Sequence, residues 1–173
     1  MKYVSFESHR WMAQQAHSQQ VDKAGQPYIE HIDRVVGRIQ TFPGFIGRAA
    51  SVAVLHDILE DGRFSSGRSW TAQYLLAQHV DPEVVWRVIV LTRLSDETYI
   101  EYIDRILASD DPEIFLVKLA DLSDNMDPRR SSAIPTSLRT RYAVAKARLL
   151  QASRYFPESP FTHVFQQLTQ ETL

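Results

Sequence analysis

Four side chains able to bind a metal or transfer a proton fall within six consecutive residues. They are His56, Asp57, Glu60 and Asp61, at the end of an apolar stretch. Leu and Ile are interleaved with them, which indicates that the charges lie on the inner side of a helix. Buried acids and imidazoles need partners, and a metal ion is the partner that satisfies all of them. For this stretch alone, a His and some acids at a helix end remain the competing interpretation.

The spacing of these four residues suggests how they are presented. We expect the helix to begin near Gly47 and to continue through Asp61. At about 100° per residue, His56 and Glu60 would share one face, and Asp57 and Asp61 would share another. The side chains of His56 and Asp57 diverge, but both can reach a point beside the helix.

A second apolar helix, within residues 116–127, is also predicted to end in acids. Asp121 and Asn125 stand four residues apart on one face, with Asp124 beside them. Acids are disfavoured at this end of a helix because of the helix dipole, so simple tolerance in solvent explains them poorly. Two separate buried helices that both finish in acids indicate a shared target.

Composition narrows the class of protein. A chain of 173 residues suits a single domain, residues 1–173, with a full hydrophobic core. The formal net charge of −2 gives no reason to expect a nucleic-acid or membrane partner. Because the sequence has no cysteine, a metal must be held by His and carboxylate ligands. We find no signal peptide, and the most apolar run is too short to span a bilayer, so we expect a cytoplasmic protein.

Helical periodicity recurs along the chain without an alternating strand pattern, so we expect an all-α fold of eight or nine helices. Helices are expected to begin at Asp81, Asp111 and Ser159, because each is a capping residue followed by proline. Other helices are expected near residues 3–20, 28–39, 47–61, 70–79, 98–108 and 137–155. The polar loop 62–69 directly follows the acids, where a loop can cover a site.

Three motifs carry a resemblance to a known family. They are His31 after Pro-Tyr-Ile, the His-Asp-x-x-Glu-Asp run of residues 56–61, and Lys118-Leu-Ala-Asp followed by Asn125-Met. Their order and spacing resemble those of the HD-domain phosphohydrolases. The similarity is greatest to the hydrolase domain of RelA/SpoT-type enzymes, which act on guanosine tetra- and pentaphosphate, and to their small single-domain relatives. It covers roughly residues 5–130.

The resemblance implies an HD-domain helical bundle that hydrolyses a nucleotide phosphate or pyrophosphate ester, with ppGpp as the first substrate to test. It implies one divalent metal, usually manganese, although Fe, Co, Ni or Zn also suit mixed imidazole and carboxylate ligands. The positions that match the metal ligands are His31, His56, Asp57 and Asp121. By the same match, Glu60 and Asp61 position or deprotonate the attacking water, and Lys23 and Asn125 bind substrate.

Three positions depart from the pattern of the family near the substrate. Asp22 stands where the relatives have a base-stacking Arg, Leu122 begins a changed tripeptide, and Asp127 replaces another Arg. We therefore expect weak activity on ppGpp or a preference for another phosphoester. Two alternatives stay open: hydrolysis of a different nucleotide, and a regulatory module that binds a nucleotide without turnover. The intact acidic pair argues against the second, and a homo-oligomer is left open.

Overall fold

The computed structural model describes residues 3–22, 24–40, 47–129 and 134–156. Within these ranges the chain forms eight α-helices and no β-strand, which confirms the all-α prediction. The helices are α1 (Phe6–Ala16), α2 (Tyr28–Ile39), α3 (Arg48–Leu55), α4 (Ala72–Ala77), α5 (Pro82–Leu91), α6 (Tyr99–Ala108), α7 (Pro112–Met126) and α8 (Thr136–Ser153). Among these helices, none combines the length and apolar character needed to cross a lipid bilayer.

Two of the predicted helix starts are confirmed. The side chains of Asp81 and Asp111 each accept the backbone N–H of the residue two positions later, at 2.9 Å in both cases. A proline occupies the first turn of each helix, where its missing N–H costs nothing. The third predicted start, at Ser159, lies outside the described residues, and so does the predicted substrate-binding residue Lys23.

Helix α7 lies at the centre of the bundle and packs against α2, α3, α5, α6 and α8. Helix α3 is rich in small residues, and Ala49 and Ala53 are fully buried. Because small side chains let helices approach closely, α3 contacts α1, α2, α5 and α7. The three helices that carry or adjoin the predicted metal ligands, α2, α3 and α7, are therefore in mutual contact.

The structure corrects the predicted helix of residues 47–61. Helix α3 ends at Leu55, and residues 56–61 form turns. The imidazole Nδ1 of His56 bonds to the carbonyl oxygen of Ala53 at 2.7 Å. The N–H of Ile58 then bonds to the carbonyl of Leu55, three residues back instead of four, which tightens the chain. The predicted sharing of helical faces by the four polar residues is therefore wrong.

Gly62 ends this turn at a place where only glycine fits. A Cβ at this position would lie 2.3 Å from the carbonyl oxygen of Ile58. The N–H of the next residue, Arg63, bonds to the carbonyl of Ala16 at 2.8 Å. A hydrogen bond thus joins the end of the turn that carries the acidic residues to the end of α1.

The loop 62–69 packs beside an aromatic cluster. Phe64 stacks on Trp70, with ring centroids 4.3 Å apart, and meets Tyr74 edge-on at 5.0 Å. Gly67 adopts a φ of 81°, and its N–H bonds to the carbonyl of Phe64 at 2.7 Å. No residue of this loop lines the cavity that holds the predicted site. The expectation that the loop covers the site is therefore wrong for this conformation.

Candidate active site

Residues of metal-binding type meet where α2, the end of α3 and α7 come together. His31, His56 and Asp121 are buried, and one ligand atom from each lies within 4.8 Å of the others. The Oδ2 atom of Asp57 lies 3.1 Å from His56 Nε2 and 3.7 Å from His31 Nε2. The Oδ1 atom of Asp121 lies 3.8 Å and 3.5 Å from the same two nitrogens. The fold thus brings together all four predicted metal ligands.

This geometry fits a divalent metal ion. Ligand atoms about 2.1 Å from one ion are about 3.0–3.4 Å apart in octahedral or tetrahedral coordination. The Nδ1 atom of His31 bonds to Asp124 at 2.7 Å, and that of His56 bonds to the Ala53 carbonyl, so both Nε2 atoms face the cluster. Partners of this kind orient metal-binding histidines in proteins. Although Asp57 Oδ2 lies 3.1 Å from the buried His56 Nε2, this nitrogen forms no hydrogen bond of good geometry within the described part of the chain, which leaves it available as a ligand.

The carboxylates around the two imidazoles change their protonation. Burial opposes the charged form of His31, but Asp121, Asp124 and Asp57 outweigh it and raise its pKa to about 9. Burial also opposes the charged form of His56, where Asp57 and Asp121 raise the pKa to about 10. The cluster therefore has a strongly negative potential. A divalent cation would satisfy it.

Two neighbours on α7 hold the carboxylate of Asp121. The ammonium of Lys118 donates to Oδ2 at 2.8 Å, and the amide of Asn125 donates to Oδ1. Burial opposes ionisation of Asp121, but Lys118 and the two imidazoles keep its pKa well below the usual range. Asn125 does line the cavity, as expected of a substrate-binding residue, yet it also fixes a predicted metal ligand.

The two aspartates of the cluster line a cavity of about 270 Å³, and the acidic pair lies at its exposed edge. The Oε2 atom of Glu60 accepts the backbone N–H of Arg93 at 2.9 Å. Partial burial and the charge of Asp57 raise the pKa of Glu60, and the same two causes raise the pKa of Asp61. Both acids therefore share a cavity with the metal cluster although no helix aligns them.

Tyr28 is a site residue that the sequence does not reveal. Its hydroxyl donates to Asp57 Oδ2 at 2.6 Å, and its ring stacks on the buried His17 with centroids 4.7 Å apart. A tyrosine at the start of an amphipathic helix has the ordinary pattern of a core-edge residue. Only the spatial position of Asp57 indicates the role of Tyr28 in orienting that carboxylate.

Asp124, which the sequence places beside Asp121, contacts His31 and shares a partner with Asp22. Asp124 is fully buried, bonds to His31 through Oδ2, and accepts from Arg34 Nε through Oδ1 at 3.0 Å. The same guanidinium donates to the buried carboxylate of Asp22 at 2.9 Å. Arg34 therefore pairs with Asp22, which also lines the cavity, and the expected effect of the Asp22 charge on the substrate stays a prediction.

Asp127 and Leu122, the other two departures from the family pattern, also make contacts within the protein. The carboxylate of Asp127 bonds to Arg129 at 2.6 Å and to Arg38 at 3.0 Å. The Arg129 contact is the main reason that the pKa of Asp127 lies below its usual range. Leu122 is fully buried in the hydrophobic core. Neither position presents an uncompensated negative charge to the cavity.

Comparison with known proteins gives a match in structure. No protein-family model matches the chain, and no curated protein sequence matches it. Its structure is similar to that of a metazoan ortholog of SpoT, described as hydrolysing ppGpp and playing a role in starvation responses. The match has a TM-score of 0.73 and 18% sequence identity, and it covers 99% of this chain and 98% of the other. The two proteins share one fold. The predicted similarity to a SpoT-type hydrolase is thereby confirmed for the fold.

Proposed function

We propose that the chain is a metal-dependent phosphohydrolase that acts on a nucleotide phosphate or pyrophosphate ester. The observation that supports it most is that two buried imidazole Nε2 atoms face two carboxylates, and that these carboxylates line a cavity together with a second carboxylate pair. We propose ppGpp as the first substrate to test, because the similar protein is described as hydrolysing it. Mn²⁺ is the first metal to test, and the donor set also suits Fe, Co, Ni or Zn.

In this proposal the two histidines and two aspartates of the cluster hold one divalent ion. A bound ion would lower the pKa of water and provide positive charge near the phosphoryl oxygens. Glu60 accepts the proton of the attacking water. The Arg93 N–H fixes its Oε2 atom at 2.9 Å, which leaves Oε1 for the water. The raised pKa of Glu60 makes its carboxylate a stronger base than an ordinary glutamate.

Two cations in the cavity suit an anionic substrate. Burial opposes the charged form of Lys118, but Asp121 and the neighbouring tyrosines keep its pKa well above the usual value, so the ammonium persists. Arg93 lines the same cavity from the junction of α5 and α6. Lys118 and Arg93 can therefore neutralise phosphate oxygens that the metal does not contact. We keep Lys23 as a third proposed substrate cation on the basis of the sequence motif.

The alternatives differ in what happens at the acidic pair. A module that binds a nucleotide without turnover has no use for Glu60 and Asp61 beside the metal cluster, so their position argues against it. A hydrolase of another nucleotide would use the same cluster and the same base. It therefore remains open, and the choice between substrates depends on measurement.

The test is a screen of nucleotides with Mn²⁺ and with a chelator, reading released phosphate and pyrophosphate. The panel includes ppGpp, nucleoside mono-, di- and triphosphates, and a dinucleotide 2′-phosphate. We expect metal-dependent release from at least one nucleotide and none with the chelator present. Binding of a nucleotide by the metal-loaded protein without release from any member of the panel would favour the regulatory alternative.

A further inference from the structure

A second cavity, of about 530 Å³, adjoins the catalytic cavity and lies between α6 and α8. Arg93 and Tyr99 line both cavities, so the two cavities lie side by side. The catalytic cavity alone, at about 270 Å³, is smaller than the roughly 300–1,000 Å³ typical of small-molecule sites. A metal ion and the phosphate groups would take up part of this volume. The rest of a nucleotide needs the neighbouring space.

The second cavity has an apolar floor. Ile103 and Ala145 are buried beneath it, while Ile100 and Val144 face solvent with 68% and 56% of their surface exposed. A ligand that covers large exposed apolar side chains removes them from water, which favours binding.

The edge of this cavity is positively charged. Arg93, Arg141 and Arg148 line it, and no acidic residue does. Across residues 3–22, 24–40, 47–129 and 134–156, neither Arg93 nor Arg141 forms a side-chain ion pair, whereas Arg148 pairs with Asp104. The guanidinium of Arg141 lies 5.6 Å from the ring centroid of Tyr99. Guanidinium groups can stack on planar bases and can pair with phosphates.

The shared wall also has an unused polar atom. The hydroxyl of Tyr99 is buried and has no hydrogen-bond partner among the residues that the structure describes, although a phenol in such a place normally has one. Apolar floor, arginine edge and unpaired hydroxyl together match a molecule with a planar, partly apolar body and attached anionic groups.

We infer that the cavity between α6 and α8 binds the nucleoside half of a phosphorylated substrate whose scissile phosphate lies in the catalytic cavity. This inference rests on the proposed phosphohydrolase function and assigns the part of the substrate that does not react. The base and ribose cover Ile100 and Val144, while Arg93, at the junction of the two cavities, faces the phosphates.

The test compares a ligand that has a nucleoside with one that lacks it. Calorimetry measures the Kd of ppGpp and of inorganic pyrophosphate for the Mn²⁺-loaded protein, in a Glu60→Gln background so that ligand is not consumed. We expect ppGpp to bind at least about tenfold more tightly than pyrophosphate. Val144→Glu should raise the Kd of ppGpp at least about tenfold and change the Kd of pyrophosphate by less than about twofold. Because Val144 is 56% exposed, the substitution does not disturb the core.

Two further variants keep the result interpretable. Ile100→Glu repeats the change on α6, at a position 68% exposed. The control is Ile89→Glu on α5, which is 46% exposed and lines neither cavity, and we expect it to change neither Kd. Melting temperatures confirm that all three variants are folded.

The inference is overturned if the Val144 and Ile100 variants bind ppGpp with the Kd of the parent. It is also overturned if their affinity for pyrophosphate falls as much as their affinity for ppGpp. Equal affinity of the parent for ppGpp and pyrophosphate, or no binding of either, also overturns it. Failure of the proposed function is a separate result: the wild-type protein would bind ppGpp and Mn²⁺ yet release no phosphate or pyrophosphate.

Discussion

Two pairs of carboxylates line the catalytic cavity, and their surroundings differ. Asp57 and Asp121 lie 3.1–3.8 Å from buried imidazole nitrogens, and despite burial these contacts keep their pKa well below the usual range. Glu60 and Asp61 lie at the exposed edge, where partial burial and the charge of Asp57 raise their pKa. Neighbouring carboxylates whose pKa values are moved in opposite directions are suited to different roles. The first pair is suited to hold a cation because it stays ionised, while the second is suited to take up a proton.

The largest effect, on metal binding, should follow from removing one of the two imidazoles that face Asp57 and Asp121. His56→Ala removes one of these imidazoles and so deletes one proposed ligand. We expect bound metal to fall from about one equivalent to background by elemental analysis after Mn²⁺ loading and desalting. The control is His79→Asn, outside the cluster, where asparagine tolerates the observed φ of 60°. Undiminished metal in the His56 variant would remove this cluster as the metal site.

The role of Glu60 and Asp61 in proton transfer is tested by amide substitutions, which keep the shape of the side chain and remove its basicity. Glu60→Gln should keep the metal and the melting temperature but slow turnover about 10²–10⁴-fold, the usual contribution of a general base. Asp61→Asn should behave similarly if it shares that work. Turnover and metal content are measured on the same preparations. Unchanged turnover in both variants would exclude the pair from the mechanism, whereas lost metal would make one of them a ligand.

Asp124 acts on the cluster of the first pair indirectly, because it orients His31. Asp124→Asn removes a buried negative charge 2.7 Å from His31 Nδ1 and leaves a side chain of the same shape. We expect metal affinity to fall about 10–100-fold, as is typical when an outer partner of a metal-binding histidine is lost. The matched control is Asp33→Asn, which breaks the exposed pair with Arg10 on the surface and should leave metal affinity unchanged. Equal metal affinity in wild type and Asp124→Asn would contradict a positioning role.

The difference between the pairs should also appear in the pH dependence of turnover. Because the pKa of Glu60 is raised, its carboxylate becomes protonated at a higher pH than an ordinary glutamate. With Mn²⁺ saturating, kcat should fall about tenfold per pH unit once the pH drops below that raised pKa. In Glu60→Gln the acidic limb should disappear from the residual rate. An identical limb in that variant would assign the titration to another group.

The sequence alone allowed prediction of what depends on local pattern. Motif order selected His31, His56 and Asp121, and capping chemistry selected the helix starts at Asp81 and Asp111. Each of these depends on residues within a few positions or on a spacing that resembles that of the HD-domain phosphohydrolases. The eight described helices follow from apolar periodicity for the same reason.

What could not be predicted depends on contacts between distant segments or on side-chain competition for the backbone. Helix α3 stops at Leu55 because the His56 imidazole takes the Ala53 carbonyl, although the apolar pattern continues beyond that point. The compensation of Asp22 depends on Arg34, a residue on α2 that simultaneously holds Asp124. Charges counted along a sequence give no indication of such pairing.

The smallest expected effect concerns this compensated charge. In addition to Arg34, two backbone N–H groups of the same loop, from Ala24 and Gln26, bond to Asp22 Oδ1 at 2.8 Å and 3.1 Å. A carboxylate neutralised in this way exerts little repulsion on an anionic substrate. We therefore expect Asp22→Asn to change the KM for ppGpp by less than about threefold while lowering the melting temperature, because the buried ion pair is lost. The measurement is KM at low and high salt beside a thermal melt. A tenfold fall in KM that disappears at high salt would show that the charge of Asp22 does reach the substrate, and would restore the electrostatic argument for another phosphoester.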